Sequence, residues 1–391
     1  MRPAGRRRPP AAVLSSSLVL PGGLTSSDLL RGTSAVTRLG PEHNPGIGAQ
    51  VTEALHAPPE FPYPLVPRGL LLALLAAERL ELERGPRYGL VLALSCLHAE
   101  PPYLEHMLAH RDEPERMGDI LAFCSDFPLE YLAARLGACG PRVRVDSACA
   151  SGSDAVAVAH EWLELGTVED VIVVAASSML DPVGLTLFRN LRALSDEDDV
   201  AASRPFDRRR RGFVMGEGAA AAWLSSRSPY PRAPLGWVCG HGRSMNAEAF
   251  TGMPTDLGAM AAACTDALGP VRDVTYVSAH GTGTPIGDPC ETRLYKQVFG
   301  DRAHRIPTSS LKSMTGHCLG TSSLIETLVT LEALQQRTAP PTINLEQPDP
   351  ECDLDYVPLH PRAIDDGFAL SVAFAFGGHN SALLLASEKP W

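Results

Sequence analysis

The sequence contains no Cys-X-X-Cys pair, and its nine cysteines form an odd, scattered set: Cys96, Cys124, Cys139, Cys149, Cys239, Cys264, Cys290, Cys318 and Cys352. That spacing excludes a zinc ribbon and a disulfide framework, and it fits free thiols in a reducing compartment. No stretch approaches the roughly 18 charge-free apolar residues of a membrane span; the longest helix-like apolar run covers only residues 70–77. The start, MRPAGRRRPP, is basic, but the apolar segment after it, AAVLSSSLVL, is short and broken by serines, unlike a signal peptide. Positive charge is also scarce: 34 Lys and Arg against 45 Asp and Glu give a net charge of −11, which argues against nucleic-acid binding. These absences predict a cytoplasmic protein with no membrane span.

What is present suits a large folded core. The chain has 391 residues, 45% hydrophobic and 20% charged, enough for two halves or domains. Helical patterning covers residues 66–84, 151–166, 289–299 and 317–336, and continuous apolar runs that read as buried strands cover 88–95, 170–176, 274–278 and 370–376. Residues 143–145 read as a short strand and 101–135 as mixed and loop-rich, while a Pro/Ser-rich break lies at 225–234 (SSRSPYPRAP) and a proline-rich loop at 338–350. Strands alternating with helices on both sides of the break predict an α/β architecture, with a flexible tail over 1–11, a first half over 12–229 and a second over 230–391.

Four segments carry chemistry. In VDSACASGS, Cys149 sits between small residues at a strand-to-helix turn; a helix N-terminus favours thiolate, although a lone cysteine is equally well explained by core packing. In SAHGTGTPIGDPCET, His280 ends a buried strand and opens a glycine-threonine turn, but no Lys-Ser/Thr follows Gly283, so a P-loop is excluded. In TSSLKSMTGHCLGTSSLIE, His317 starts an apolar helix, and the helix pattern buries Glu326, which needs a partner such as Lys312. In FAFGGHNSALLL, Gly377 and Gly378 turn one strand into another, where backbone N–H groups can serve an oxyanion hole with the amide of a nucleophile. Each segment alone also fits ordinary structure: a backbone-bonded histidine, a structural ion pair, a β-turn.

Together and in this order, the segments resemble the β-ketoacyl-[acyl-carrier-protein] synthases, the ketosynthases of fatty-acid and type II polyketide assembly. DSACASG is similar to their nucleophile motif, HGTGTPIGD to the first histidine motif, KSMTGH to the lysine–histidine motif and FAFGGHN to the glycine turn; SRPFDRRRRGFVMGEGAA (203–220) is similar to a long signature between them. The resemblance covers about residues 12–387.

It implies a thiolase-like fold of two similar halves layered α-β-α-β-α, usually dimeric. It implies Cys149 as acyl-accepting nucleophile, His280 and His317 as the pair that binds the malonyl thioester, and Lys312 with Glu326 as their support. Phe376 is implied as gate, with the Cys149 and Phe376 amides as oxyanion donors beside Gly377, and Thr282, Thr284 and Gly378 as substrate-binding. No metal or redox cofactor is implied, because the phosphopantetheine arrives on an acyl carrier protein. The partner subunit is either a second copy or a chain-length-factor-like homologue. Carriers are acidic, and the run Arg208, Arg209, Arg210 and Arg211 is a candidate docking patch, with a solvated loop or dimer salt bridges as equal alternatives.

The sequence also departs from the motifs. The first strand reads VLSSSLVLPGG, residues 40–66 look abbreviated, and CLHAEPP follows YGLVLALS where a glycine-rich turn is common. Val372-Ala373 replaces Asn-Ser, Ala375 replaces a glycine, and Thr321-Ser322-Ser323 replaces Ala-Ala-Gly. These changes leave the acyl chain open and allow two other readings, an ester- or amide-forming acyltransferase on the same scaffold and a cavity-shaping subunit of a heterodimer.

Overall fold

A computed structural model of the chain describes residues 8–40, 43, 46–61, 66–83, 85, 87–94, 109, 126–248 and 250–391. Cys96, Cys124, the CLHAEPP segment, most of 101–135 and residues 1–7 lie outside the described residues. None of the described cysteines is in a disulfide, and no described helix is long and apolar enough to cross a membrane.

The first half contributes β1 (Ala11–Val19), β2 (Tyr88–Leu94), β3 (Arg142–Val145), β4 (Asp170–Ser177) and β5 (Gly218–Ser225); the second contributes β6 (Gly236–Met245), β7 (Val274–Ser278), β8 (Thr308–Ser309), β9 (Phe368–Phe374) and β10 (His379–Ala386). Their spatial order is β8-β7-β9-β10-β6-β1-β5-β4-β2-β3. Each half therefore lays its five strands in the same order, third, second, fourth, fifth, first, and the two sets run outward from a shared centre. The pairing types repeat as well: three strands are parallel, the fifth antiparallel to its neighbours. Within the sheet, the halves pair through Ala11–Val13 of β1 against Val238–Gly236 of β6.

Helices α1 (Arg68–Glu78) and α2 (Phe127–Leu136) cover the outer face of the first half. Helices α3 (Ser151–Glu164) and α7 (Ser322–Gln335) pack on each other between the halves, and α5 (Gly258–Leu268) and α6 (Gly287–Phe299) cover the second half; α4 (Pro182–Asn190) lies beside the first. The result is five layers, α-β-α-β-α. Strands buried on both faces explain the unbroken apolar runs: Ile172, Val174 and Ala176 of β4 join the outer core, whereas Val171, Val173 and Ala175 join the central one.

Several sequence expectations shift. The helix expected over 66–84 stops at Glu78, and the charged remainder turns back so that the Tyr88 hydroxyl accepts from Glu83 N–H at 3.0 Å. Residues 8–10 are not part of a loose tail, because Arg8 pairs with Glu164 at 3.1 Å and His160 Nε2 bonds the Pro9 carbonyl at 2.8 Å. His317 precedes its helix rather than starting it: Leu319 holds φ +48° in a 3-10 turn over Leu319–Thr321, and α7 begins only at Ser322. Gly152 lets α3 touch α7, since a Cβ there would lie 2.7 Å from Leu324 N and 2.9 Å from Gly320 O.

Candidate active site

Cys149 lies at the centre of a 3-10 turn, Ala148–Ala150, which feeds directly into α3. Ala148 takes φ +49°, a left-handed conformation that a non-glycine residue holds only when its surroundings impose it. Ser151 imposes part of it: its hydroxyl donates to Ala148 O at 2.7 Å and accepts from Ser147 N–H at 2.9 Å. The thiol is buried, 8% exposed, and faces the partial positive charge at the start of a 14-residue helix.

His317 brings Nε2 to 3.1 Å from Cys149 Sγ. Its backbone is pinned from both sides by the 203–220 segment, with His317 N–H donating to Val214 O at 2.7 Å and Gly216 N–H donating to His317 O at 3.0 Å. Phe213 packs perpendicular to the ring, centroids 5.0 Å apart. His280 stands beside it with centroids 5.6 Å apart. Burial pushes both imidazoles well below the ordinary histidine range, and the nearby Lys312 ammonium pushes them further, so both are neutral near pH 7.

Lys312 and Glu326 meet at 2.5 Å, Nζ to Oε1, and each side chain is at most 3% exposed. The same ammonium donates to His280 O at 2.6 Å. The opposite side of the His280 turn is held by Glu291, whose carboxylate accepts from His280 N–H at 2.6 Å and Gly281 N–H at 2.8 Å, and from the Tyr295 hydroxyl. His280 is thus gripped through its backbone by a cation and an anion. Burial raises the Glu326 carboxyl to about 7 and raises Glu291 too, and Lys312 opposes both shifts. Sequence reasoning missed Glu291 and Tyr295; their signal is a polar residue at each of two positions four apart on the buried face of α6, beside Leu294.

The four arginines do not form one patch. Arg210 is buried with its side chain 4% exposed, 2.6 Å from Asp349 and 3.4 Å from Asp288, and it donates to the Thr284 and Pro285 carbonyls at 3.0 Å each. It is removed from any docking surface and instead braces the His280 loop, since Asp288 also accepts from Phe206 N–H at 2.7 Å and Gly283 N–H at 3.1 Å. Arg209 pairs with Asp207 and Glu346, both at 2.9 Å, and Arg208 bonds Gln347 at 2.7 Å. Of the four, Arg208 and Arg211 are exposed, and Arg211, its side chain 66% exposed, lies 3.4 Å from Glu197.

Cys149, His280 and His317 line one cavity of about 390 Å³ together with Thr282, Thr284, Phe376 and Gly378. Thr282 and Thr284 hydroxyls lie 3.1 Å apart on its wall. Phe376 packs with Cys149, Phe213 and Leu319 in one small cluster, and its turn sits against the Cys149 turn. Gly377 holds φ +79°, which aims Phe376, but its N–H donates to Phe250 O at 2.7 Å and that of Gly378 to Ala375 O at 3.1 Å. Neither glycine amide is therefore an oxyanion donor here, which corrects the expectation for Gly377. At the cavity wall the structure adds Phe188, Leu191 and Arg192 from the end of α4; Leu191 is 50% exposed. Sequence reading passed over these because α4 carries no motif.

Comparison with known proteins follows the same residues. The chain matches the model of the beta-ketoacyl synthase N-terminal domain over residues 84–229 and that of the C-terminal domain over 236–346. It is 43% identical over 260 residues to a 3-oxoacyl-[acyl-carrier-protein] synthase 2 of Synechocystis, covering 64% of this chain and 62% of that protein. It is 40% identical over 267 residues to the tetracenomycin polyketide synthase ketoacyl synthase alpha subunit of Streptomyces glaucescens, covering 66% and 63%. The matched region thus spans just under two thirds of these relatives. Among solved structures, it superposes with a TM-score of 0.86 and 28% identity on a chain from a complex of a type II polyketide synthase acyl-carrier protein with its ketosynthase, covering 98% of this chain and 100% of the other.

Proposed function

The chain belongs to the beta-ketoacyl synthase family, and from the geometry of its site we propose that it is a decarboxylating condensing enzyme of polyketide or specialised fatty-acid synthesis. The observation that carries this reading is the approach of His317 Nε2 to Cys149 Sγ, 3.1 Å, in one cavity with a second neutral imidazole. An ester- or amide-forming transferase needs the cysteine and one base. Two neutral histidines braced by a buried Lys–Glu pair serve a reaction in which negative charge develops on a carbonyl oxygen.

Cys149 sulfur attacks the thioester carbonyl of an acyl-carrier, and the pantetheine thiol leaves with a proton. The Cys149 and Phe376 amides receive the oxyanion of this step. A malonyl-carrier then enters, with its pantetheine along Thr282 and Thr284. His280 and His317 donate Nε2–H bonds to its thioester carbonyl. The carbon–carbon bond to the carboxylate breaks, carbon dioxide leaves, and the electron pair stays as an enolate. The enolate carbon attacks the acyl-cysteine, and Cys149 departs as thiolate from a 3-oxoacyl-carrier two carbons longer. Neutral imidazoles suit this sequence because their bonds strengthen as the oxygen becomes anionic.

No tightly held cofactor is needed in this scheme. The carrier partner is an acyl carrier protein, and Arg192 beside the half-exposed Leu191 at the cavity is a better docking candidate than the run 208–211. Strand β3, which ends the strand order, offers an edge for pairing with a second copy or a homologous subunit. The working compartment is the cytoplasm. Intact mass of wild type and Cys149→Ala after mixing with acyl- and malonyl-carrier tests the reading. Acylation of the wild type only, followed by a 3-oxoacyl-carrier, supports it; acylation without carbon–carbon bond formation refutes it.

A further inference from the structure

The triplet Thr321-Ser322-Ser323 stands where the resembled motif carries Ala-Ala-Gly, and the structure gives each added hydroxyl a partner at the junction of the halves. Thr321 Oγ1 donates to Ser177 Oγ at the end of β4, 3.0 Å away. Ser323 Oγ accepts from Ser153 N–H in the first turn of α3, 2.9 Å away. Ser322 Oγ lies 3.1 Å from His317 Nδ1, and Ser322 is buried at 4% exposure. An alanine at 322 offers that nitrogen nothing.

The two ring nitrogens of a neutral imidazole are unequal: one bears hydrogen and one a lone pair, and the partner of one decides the state of the other. His317 directs Nε2 at Cys149 and Nδ1 at Ser322. A hydroxyl that donates to Nδ1 leaves the hydrogen on Nε2, facing the sulfur and the cavity. His280 has no equivalent control among the described residues, where its buried Nδ1 finds no hydrogen-bond partner. Phe213 packs perpendicular to the His317 ring, centroids 5.0 Å apart, but carries no hydrogen bond.

We propose that Ser322 is a positioning residue for His317: its hydroxyl donates to Nδ1, fixes the Nε2–H tautomer and turns that hydrogen toward Cys149 and the substrate carbonyl. Its kinetic consequence rests on the condensation reading above; the tautomer itself does not. Ser322→Ala is the natural perturbation, since it removes the hydroxyl, restores the residue type of the resembled motif and introduces no bulk.

The experiment is ¹⁵N imidazole spectroscopy of the ¹⁵N-histidine-labelled full chain, wild type against Ser322→Ala, beside steady-state decarboxylation of malonyl-carrier and thermal unfolding. His317→Gln identifies the His317 signals. In the wild type we expect a protonated Nε2 and an accepting Nδ1. In Ser322→Ala we expect a mixture of tautomers, a roughly three- to tenfold fall in kcat, the worth of one neutral hydrogen bond, an unchanged KM and an unchanged Tm. An unchanged His317 spectrum in Ser322→Ala overturns the proposal, and so does a loss of activity that accompanies a fall in Tm without a change of tautomer. An inactive wild type refutes the condensation reading while the spectra still decide the role of Ser322.

Discussion

Replacing Lys312 by methionine tests the electrostatic frame of the site. The substitution keeps most of the volume and removes the one cation buried between Glu326 and Glu291. Removing one partner of a buried ion pair costs about 3–5 kcal/mol where the other is ionised and left uncompensated, which sets the ceiling of the loss at high pH. With an unfolding entropy of about 2.1 cal/mol/K per residue, that ceiling corresponds to about 4–6 °C in Tm for a chain of 391 residues. The loss depends on pH with a definite sign. The Glu326 carboxyl is raised to about 7 in the folded chain from an ordinary 4.5, so its protonated form is favoured by folding. Stability from this group is fully present below the unfolded value and is lost as pH rises through the folded value. Without Lys312 the folded value moves higher still, and the loss extends to higher pH. Wild type and Lys312→Met should therefore lie close together near pH 5 and separate above pH 7, by at most about 1.4 kcal/mol per pH unit for one carboxyl. Urea unfolding at pH 5.5, 7 and 8.5 reads this directly. Adding Glu326→Gln should recover most of the stability but not the activity, because the contact to His280 O stays lost. A Lys312→Met penalty that is equal at all three values, or a double variant as unstable as the single one, refutes the reasoning.

Gly152→Ala should lose about 1–3 kcal/mol in denaturant unfolding and slow acylation of Cys149, because the added methyl meets backbone atoms of the 320–324 turn that cannot move aside. Arg210→Ala should cost about 3 kcal/mol by leaving Asp288 buried without its cation, whereas Arg211→Ala should change Tm by less than a degree, since exposed pairs contribute little. His160, held by burial down to about 3 and bonded to Pro9 O, stays neutral in the fold while the unfolded chain takes up a proton below pH 6.5; this one group removes about 2 kcal/mol of stability between pH 7 and 5. His160→Leu should flatten that part of the stability–pH curve.

The α/β alternation was legible because its strands are buried on both faces and announce themselves as apolar runs, whereas the layering came only with the family resemblance. Cys149, His280 and His317 stood out through that resemblance too, since each segment alone also fits ordinary structure and only the ordered set of motifs resembles a family. What could not be read was how distant segments hold them. The run of four arginines looks like a surface patch from composition, yet Arg210 turns inward because Asp288 and Asp349 arrive from positions far along the chain. Glu291 was passed over because, apart from its i,i+4 contact with Tyr295, its bonds go to the backbone amides of His280 and Gly281, which leave no pattern in side-chain sequence. The boundary of α7 was misplaced because Leu319 adopts a left-handed backbone that no propensity assigns to leucine.

That left-handed leucine has a counterpart. Ala148 at φ +49° and Leu319 at φ +48° each open a 3-10 turn that enters a 14-residue helix, so the two halves build the same bend once each. In one bend the central residue is Cys149, in the other Gly320. A side chain at Gly320 would begin 2.9 Å from Ala148 O and 3.2 Å from Ser151 Cβ. The two bends press against each other so closely that the second has little room for a side chain at its centre. The internal repeat is thus asymmetric at its point of contact: the first half sets a sulfur there and the second a bare backbone, with His317 and His280 of the second half beside the sulfur.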